Sequence, residues 1–381
     1  MTHALIIGGG IAGPVTAMAL QRAGIGATVY EAHATGAEGA GAFLTVAVNG
    51  LDALRVIGAD TPVLAEGFPA TRNVIFDPAG ERLFEAPQGE TLPDGTTTRA
   101  VRRVDLYGTL RGEARSRGIR IEHGKRLVGA ETGPDGGVVA HFDDGARASG
   151  DLLVGADGIH STTRRLIDPD APRPRYDGLL NVGGYARDVS ATTEPGAFHM
   201  TQGKHVFFAY TTAPAGETWW FANIPHSDEP DRAQLAVLST EQWKRWLLDL
   251  VADDASPAAE IIDATTDILG RYGTYNMPAV PTWHNGPMII VGDAAHATSP
   301  SSGQGASLAI EDAVVLAKCL RDAPDVQQAF VAYERLRRQR VEDVAALGAY
   351  GSGKKADAEV NDRPTAWMYQ HHIDWNIPAR P

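Results

Sequence analysis

The sequence predicts an α/β fold, α+β taken over the whole chain, and three observations carry that reading. Apolar runs end on glycine three times: Ala4-Leu5-Ile6-Ile7 before Gly8, Leu152-Leu153-Val154 before Gly155, and Met288-Ile289-Ile290-Val291 before Gly292-Asp293. From Tyr176 to Pro225 the texture changes to alternating aromatic residues, as in Val206-Phe207-Phe208-Ala209-Tyr210 and Thr218-Trp219-Trp220-Phe221-Ala222-Asn223. From Asp325 to Leu347 an unbroken helical pattern follows. Continuous apolar runs suit strands buried on both faces of a parallel sheet, whereas alternation suits an antiparallel sheet with two unlike faces.

The first run continues into Gly8-Gly9-Gly10-Ile11-Ala12-Gly13, then an apolar helix, then Ala27-Thr28-Val29-Tyr30-Glu31. Strand, glycine turn, helix, strand and acid in that order describe a Rossmann-like, dinucleotide-binding βαβ unit. Gly8 permits the tight turn, Gly10 leaves the backbone open to a pyrophosphate, and Gly13 lets the helix pack closely on the strand. Ala12 stands at the helix start, where free N–H groups favour phosphate. Glu31 stands where a carboxylate accepts hydrogen bonds from a ribose. The competing account is an ordinary βα turn with a surface glutamate, which the full unit disfavours.

The other elements follow in order. Gly24 caps the first helix. Ala34 to Gly41 is rich in small residues and conformationally permissive. Asn49 to Leu54 starts a helix ending at Gly58. Asn73–Phe76 and Glu81–Phe84, joined by Asp77-Pro78-Ala79-Gly80, read as a hairpin foreign to a parallel sheet. The polar stretch 88–98 returns the chain. Val104 to Arg117 has helical spacing and Gly118 caps it. Ile119–Glu122, Leu127–Glu131 and Val138–Phe142 are strand-like. Ser239-Thr240-Glu241-Gln242 is a capping box, and Ser256-Pro257 opens a further helix. Arg335, Arg337, Arg338 and Arg340 read as a solvated or interdomain face of the last long helix. The expected units are a discontinuous nucleotide unit (1–71, 99–175, 281–324), a sheet unit (72–98, 176–280) and a C-terminal helix and tail (325–381).

At 381 residues, one large or two ordinary domains with ample core are expected. A net charge of −13 argues against nucleic acid or an anionic membrane surface as partner. The single cysteine, Cys319, lies in an apolar run and reads as core; it allows no intrachain disulfide. The nucleotide fold beginning at Ala4 and the lack of a bilayer-length apolar run lead to the expectation of a cytoplasmic protein.

In an open α/β sheet, ligands sit outside the carboxyl ends of the strands. Three glycine-bearing strand ends converging there suggest one extended cofactor. Asp293 would emerge at that crevice and suits a polyol. Pro300-Ser301-Ser302-Gly303-Gln304-Gly305-Ala306 would then present a helix N-terminus to developing negative charge.

With these motifs in place, the chain resembles the single-component FAD-dependent aromatic monooxygenases, the hydroxybenzoate, salicylate and tetracycline hydroxylases among them. The resemblance spans about residues 1–345. It rests on Gly8-x-Gly10-x-x-Gly13, Gly155-Ala156-Asp157-Gly158, and Gly292-Asp293-Ala294-Ala295-His296 with Pro300-x-x-Gly303-Gln304-Gly305, in family order. It implies that Glu31 binds the adenosine ribose, that Asp293 holds the ribityl chain, and that the backbone of Gly303, Gly305 and Ala306 faces the isoalloxazine. Arg103, within Arg103-Val104-Asp105-Leu106, matches the family's FAD-contacting arginine, with Arg102 the fallback. Leu127 would lie beside the adenine through its backbone, and Asp157 is linked to FAD and NAD(P)H. The implied reaction uses NAD(P)H as co-substrate and O₂, and inserts one oxygen through a flavin C4a-hydroperoxide into an aromatic or polyketide-like small molecule. No protein acid or base is required, so none is named. Ser307 departs from the Asn of many members. Ala34–Gly41 and Arg103 are candidates for gating flavin movement.

Competing readings stand beside these. Asp157 caps a turn as readily as it serves a cofactor. His296 reads as packing and not as a base. Adjacent His371-His372 face differently on any regular element and read as no metal site. Phe207, Tyr210 and Phe221, with Pro300, are the candidate substrate contacts, yet alternation puts about half of such aromatics on each face. The alternatives in function are an FAD-dependent oxidase or isoprenoid double-bond reductase without oxygen insertion, and a non-catalytic flavin-binding protein.

Overall fold

The computed structural model describes residues 2–35, 41–133, 135–351 and 366–379. A six-stranded sheet forms the base of the nucleotide unit. Its order is His284–Asn285, Met288–Ile290, Leu152–Gly155, His3–Ile7, Gly26–Glu31 and Arg120–His123, all parallel except the short first strand. The three glycine-bearing strands are therefore neighbours. Their ends are also level, because Ile7 pairs with Gly155 and Gly155 with Ile290.

Helices Ala12–Arg22, Arg103–Ser116 and Gly305–Asp322 cover this sheet together with Val48–Val56. The Ala12–Arg22 helix ends on Gly24 at φ +78°, with Ile25 N–H returning to the Leu20 carbonyl at 2.9 Å. A three-stranded antiparallel sheet (Leu127–Thr132, Val138–Phe142, Arg147–Gly150) packs Leu127 and Phe142 against Tyr30 and Leu5.

The second unit is a seven-stranded sheet. In spatial order it runs Leu269–Asn276, Arg175–Ala186, Thr218–Pro225, Phe207–Thr212, Ala197–Gln202, Arg72–Phe76 and Arg82–Pro87. The early hairpin thus joins the far edge of a sheet otherwise built from residues 175–276. One pairing departs from the alternation pattern: Ala197–Gln202 runs parallel to Arg72–Phe76, because the hairpin arrives from a different chain direction.

Three helices, Arg232–Val237, Thr240–Val251 and Ala258–Asp263, cover one face of this sheet. The capping box is complete, with Gln242 N–H donating to Ser239 Oγ at 3.2 Å and Ser239 N–H to Gln242 Oε1 at 2.8 Å. Pro257 caps the last of the three and does not enter it.

On the long helix Val326–Gly351, expected to carry a solvated or interdomain arginine face, the solvated reading fails at two of the four arginines. Arg337 is fully buried and pairs with Glu311 and Asp312 at 2.7 Å each. Arg340 also turns inward, to Glu311. The reason is charge balance: Glu311 and Asp312 interrupt an apolar helix, and buried carboxylates need cations. Cys319 is core, and burial pushes its thiol up to about 12. No helix among the described residues is long and apolar enough to cross a membrane.

Candidate active site

The glycine turn is set by close contacts. Gly8 adopts φ +108°, and a Cβ there would lie 2.3 Å from the Ala156 carbonyl oxygen. A Cβ on Gly13 would lie 1.9 Å from the Gly8 carbonyl oxygen, so the helix closes onto the turn itself. Gly10 is different. A Cβ on it would meet no protein atom within 4 Å, so the protein fold does not demand glycine there. A vacant approach to backbone N–H groups at a helix start is what an incoming phosphate requires.

Glu31 is buried at the end of its strand. Its Oε2 accepts from Gly9 N–H at 2.7 Å and its Oε1 from His33 N–H at 2.8 Å. Arg111 holds the other side of the same residue, donating from Nε to the Gly9 carbonyl at 2.7 Å. The turn is thus clamped between an acid and a base. Arg111 carries no local sequence signal of this role, since it reads as one more surface arginine of an amphipathic helix. Leu127 is a core side chain in register with Phe142, which stacks on Tyr30 beside Glu31.

Asp157 is hydrogen-bonded within its own turn. Its Oδ1 accepts from Ser161 Oγ at 2.5 Å, and its Oδ2 accepts from Thr162 N–H, Thr163 N–H and Thr163 Oγ1 at 2.9–3.0 Å. It fixes the start of the Thr162–Ile167 helix, as its turn-capping reading expects.

Gly292 adopts φ +59°, with its N–H donating to Asp312 Oδ2 at 2.8 Å. A Cβ there would sit 3.0 Å from Ala309 and 3.5 Å from Ala12, so two helices meet at this glycine. Asp293 follows, open to the crevice, and hydrogen-bonds no other described residue. Surrounding protein mass pushes its carboxyl above the usual carboxylate range, against the opposing pull of His296 and Arg103. His296 is oriented by Asp312 at 2.5 Å and packs on Trp283.

Asp312 was legible only as one of two acids in an apolar helix. Histidines 371 and 372 turn to different partners, Glu311 and Asp52 respectively.

Pro300–Ser302 forms a single turn closed by Gly303 at φ +61°, and Gly305 starts the long helix. Pro300, the first residue of that turn, is exposed. A Cβ on Gly305 would lie 4.0 Å from Asp293 Oδ1, and one on Gly303 would lie 3.6 Å from Thr45 Oγ1. Ala306 is half-buried at the helix start. Ser307 is fully buried, accepting Ala47 N–H on Oγ at 3.0 Å and packing on Gly50. Its role in place of asparagine is to admit the Val48–Val56 helix.

Arg103 opens the Arg103–Ser116 helix, and its Nε has no hydrogen-bond partner among the described residues. Burial works against its charge, but Tyr272, Tyr107 and Asp293 outweigh this and hold it protonated. Arg102 points elsewhere: it pairs with Glu217 and lies over the Tyr185 and Trp219 rings. Of the stretch 34–41, residues 36–40 lie outside the described residues. Gly41 abuts the Tyr272 hydroxyl.

The strand Phe43–Val46 connects the two units. Phe43 packs on Phe221 with ring centroids 6.0 Å apart and on Trp219 at 5.5 Å, while Thr45, two residues on, abuts Gly303. Phe207 stacks near Phe221 at 5.8 Å on the same face. Tyr210 is a correction. It is buried with Phe208 and Trp220 under the three helices, on the opposite face. Strand periodicity puts 207 and 221 on the face that meets Phe43 and 210 on the helix-covered face.

Residues 1–347 match the family model described as an FAD binding domain. The chain is 32% identical to aurachin C monooxygenase/isomerase of Stigmatella aurantiaca, over 92% of this chain and 88% of that protein. It is 30% identical to an FAD-dependent urate hydroxylase of Klebsiella pneumoniae, over 90% and 87%. The crystal structure of Klebsiella pneumoniae HpxO with FAD and uric acid superposes with a TM-score of 0.80 at 28% identity, covering 96% of this chain and 92% of that one. Similar in sequence over nearly its whole length to these proteins, and in fold to a flavin-bound one, the chain belongs to the FAD-dependent aromatic monooxygenases.

Proposed function

We propose that the crevice along the three level strand ends holds FAD, and that an aromatic or polyketide-like small molecule lies between the 300–306 turn and the Phe207–Phe221 face. When bound and reduced by NAD(P)H, FAD supplies the reaction with O₂ that delivers one oxygen atom to the substrate. The protein's part is to bind, orient and exclude water.

Glu31 accepts from the adenosine ribose with lone pairs left free by its two backbone donors. Gly8, Gly10, Ala12 and Gly13 bring the first helix N-terminus to the pyrophosphate. The Leu127 backbone lies beside the adenine, and Arg103 contacts the cofactor. Asp293 accepts from the ribityl hydroxyls. Gly303, Gly305 and Ala306 present backbone to the isoalloxazine, where the helix dipole favours negative charge. The substrate-binding unit corresponds to residues 72–98 and 176–280, with Phe207, Phe221 and Phe43 screening the ring from water and Pro300 at its edge. Asp157 acts through the local fold.

The observation that carries this reading is Asp293: a carboxylate that hydrogen-bonds no other described residue, at the end of the strand level with two glycine turns. The test is to purify the protein, measure bound FAD, and follow NAD(P)H consumption with a panel of phenolic and polycyclic compounds, scoring product mass. A yellow protein whose NAD(P)H oxidation is stimulated by a substrate that gains one oxygen is expected. A colourless protein that takes up no FAD and consumes no NAD(P)H overturns the proposal. Turnover to a product that gains no oxygen atom turns it to the oxidase or reductase alternative.

A further inference from the structure

The sheet face that looks toward the cofactor crevice carries one polar row. Phe207 pairs with Asn223, Asn223 with Asn181, and Asn181 with Tyr272, so these four side chains lie side by side across four strands. The neighbouring row is Ala209, Phe221 and Gly183, two small residues flanking one ring. The face is fixed by contacts at both ends: Phe221 meets Phe43, and the Tyr272 hydroxyl meets Gly41. Two packed rings, Phe207 and Phe221, thus lie beside two amides on this face.

Asn181 Nδ2 donates to Asn223 Oδ1 at 2.8 Å. Neither side chain makes another hydrogen bond to a described residue, and both are half-buried. The pair therefore leaves the Asn181 amide oxygen and the Asn223 amide nitrogen unengaged by any described residue. Flipping both amides exchanges the two roles and leaves the same set, so the result does not depend on how oxygen and nitrogen are assigned.

Arg102 and Arg187 both pair with Glu217, while Arg103 lies by Tyr272 at the end of the row, between it and Asp293. Neither row holds Lys, Arg or His. An ionised carboxylate only accepts, so it would pair with the Asn223 amide and leave the Asn181 oxygen without a donor, whereas a neutral ring with a donor and an acceptor side by side would satisfy both amides.

Resting on the reading of this chain as an FAD-dependent monooxygenase, we propose that the Asn181–Asn223 pair is the polar recognition element of the substrate site. It selects a neutral planar ring bearing a cyclic amide over a ring carboxylate of the same size.

The test uses the FAD-loaded full chain. Titrations with 2-quinolone and with 2-naphthoate are followed by the change in flavin absorbance. The quinolone is expected to bind at least about 10-fold more tightly, the cost of leaving one buried partner unpaired. Asn223→Leu is expected to lose that preference, while naphthalene, which offers no hydrogen bond, keeps its wild-type affinity in the variant. Wild-type protein alone also decides the matter. Equal or tighter binding of the naphthoate, or no response to the quinolone, overturns the assignment. So does undiminished quinolone preference in a folded, FAD-bound Asn223→Leu protein. Product mass from the same samples separates the two readings. A protein that binds the quinolone through Asn223 but adds no oxygen refutes the monooxygenase reading alone. One that oxygenates the naphthoate with the higher kcat/KM refutes the amide assignment alone.

Discussion

Asp312 accepts the Gly292 N–H at 2.8 Å, so a buried acid on one helix holds the left-handed turn that aims Asp293 into the crevice. The same carboxylate orients His296 at 2.5 Å and takes Arg337 Nε at 2.7 Å on its other oxygen. Glu311, next in the chain, binds Arg337, Arg340 and Asn49, and Asn49 also reaches Gln304 in the 300–306 turn. One buried ionic network thus ties the Gly292 turn and the 300–306 turn to the C-terminal helix.

Replacing Asp312 with Ala should therefore do two things. It removes one of two anions facing a fully buried arginine, which costs about 3–5 kcal/mol of stability. It also frees the Gly292 turn, so the FAD dissociation constant should rise in whatever protein remains folded. Denaturant unfolding and FAD titration measure the two effects separately. Unchanged FAD affinity in a destabilised variant would show that the network is structural only.

Acid should unfold this protein through the same network. Burial alone would raise the Glu311 carboxyl, but Arg337 and Arg340 outweigh it and pull it down to about 2. The unfolded chain takes up that proton near pH 4. A group depressed on folding stabilises above its unfolded value, and that contribution is lost as pH falls from about 4 toward 2. Glu311→Gln should be less stable at neutral pH and show a shallower loss over that interval, read by denaturant midpoints against pH. A slope equal to the wild type's would exclude Glu311 as the origin.

Gly10 and Gly13 should separate binding from folding. Gly13→Ala puts a methyl 1.9 Å from the Gly8 carbonyl oxygen and should yield little folded protein. Gly10→Ala meets open space, so apoprotein stability should change by less than about 1 kcal/mol, while FAD affinity falls by about 10-fold or more. Thermal unfolding of apoprotein and FAD titration decide it. Full FAD retention in Gly10→Ala would remove the pyrophosphate from this turn.

Asp157→Ala should act the other way. Losing the carboxylate that accepts from Thr162 and Thr163 at the helix start costs about 1–2 kcal/mol, with FAD affinity close to the wild type's per folded molecule. Lost affinity without lost stability would restore a direct cofactor role.

The two faces of the aromatic sheet give a paired prediction. Phe221→Ala should raise KM by about 10-fold or more, since the ring lines the slot against Phe43. Tyr210→Phe removes only a hydroxyl on the helix-covered face, near His199 at 3.2 Å, and should leave KM unchanged. Steady-state NAD(P)H oxidation on one substrate compares them. Equal effects would mean that the faces are misassigned.

The sequence carried the nucleotide unit because its determinants are local. Apolar runs ending on Gly8, Gly155 and Gly292 specify buried strands and turns within a few residues of each other, and their alignment follows from parallel pairing. Asp293 and Glu31 are legible for the same reason, since each closes its own strand or turn. Asp157 left two readings open, and its hydrogen bonds to Ser161, Thr162 and Thr163 favour the cap.

The rest required the folded chain. Alternation divides Phe207 and Phe221 from Tyr210 but does not say which face meets Phe43, because that depends on docking two sheets distant in sequence. Helical spacing places Arg337 and Arg340 on a stripe without revealing that Glu311 and Asp312 lie opposite. The amide pair of Asn181 and Asn223 exists only through strand register. Local patterning determined where the backbone turns; long-range packing decided which side chains those turns would face.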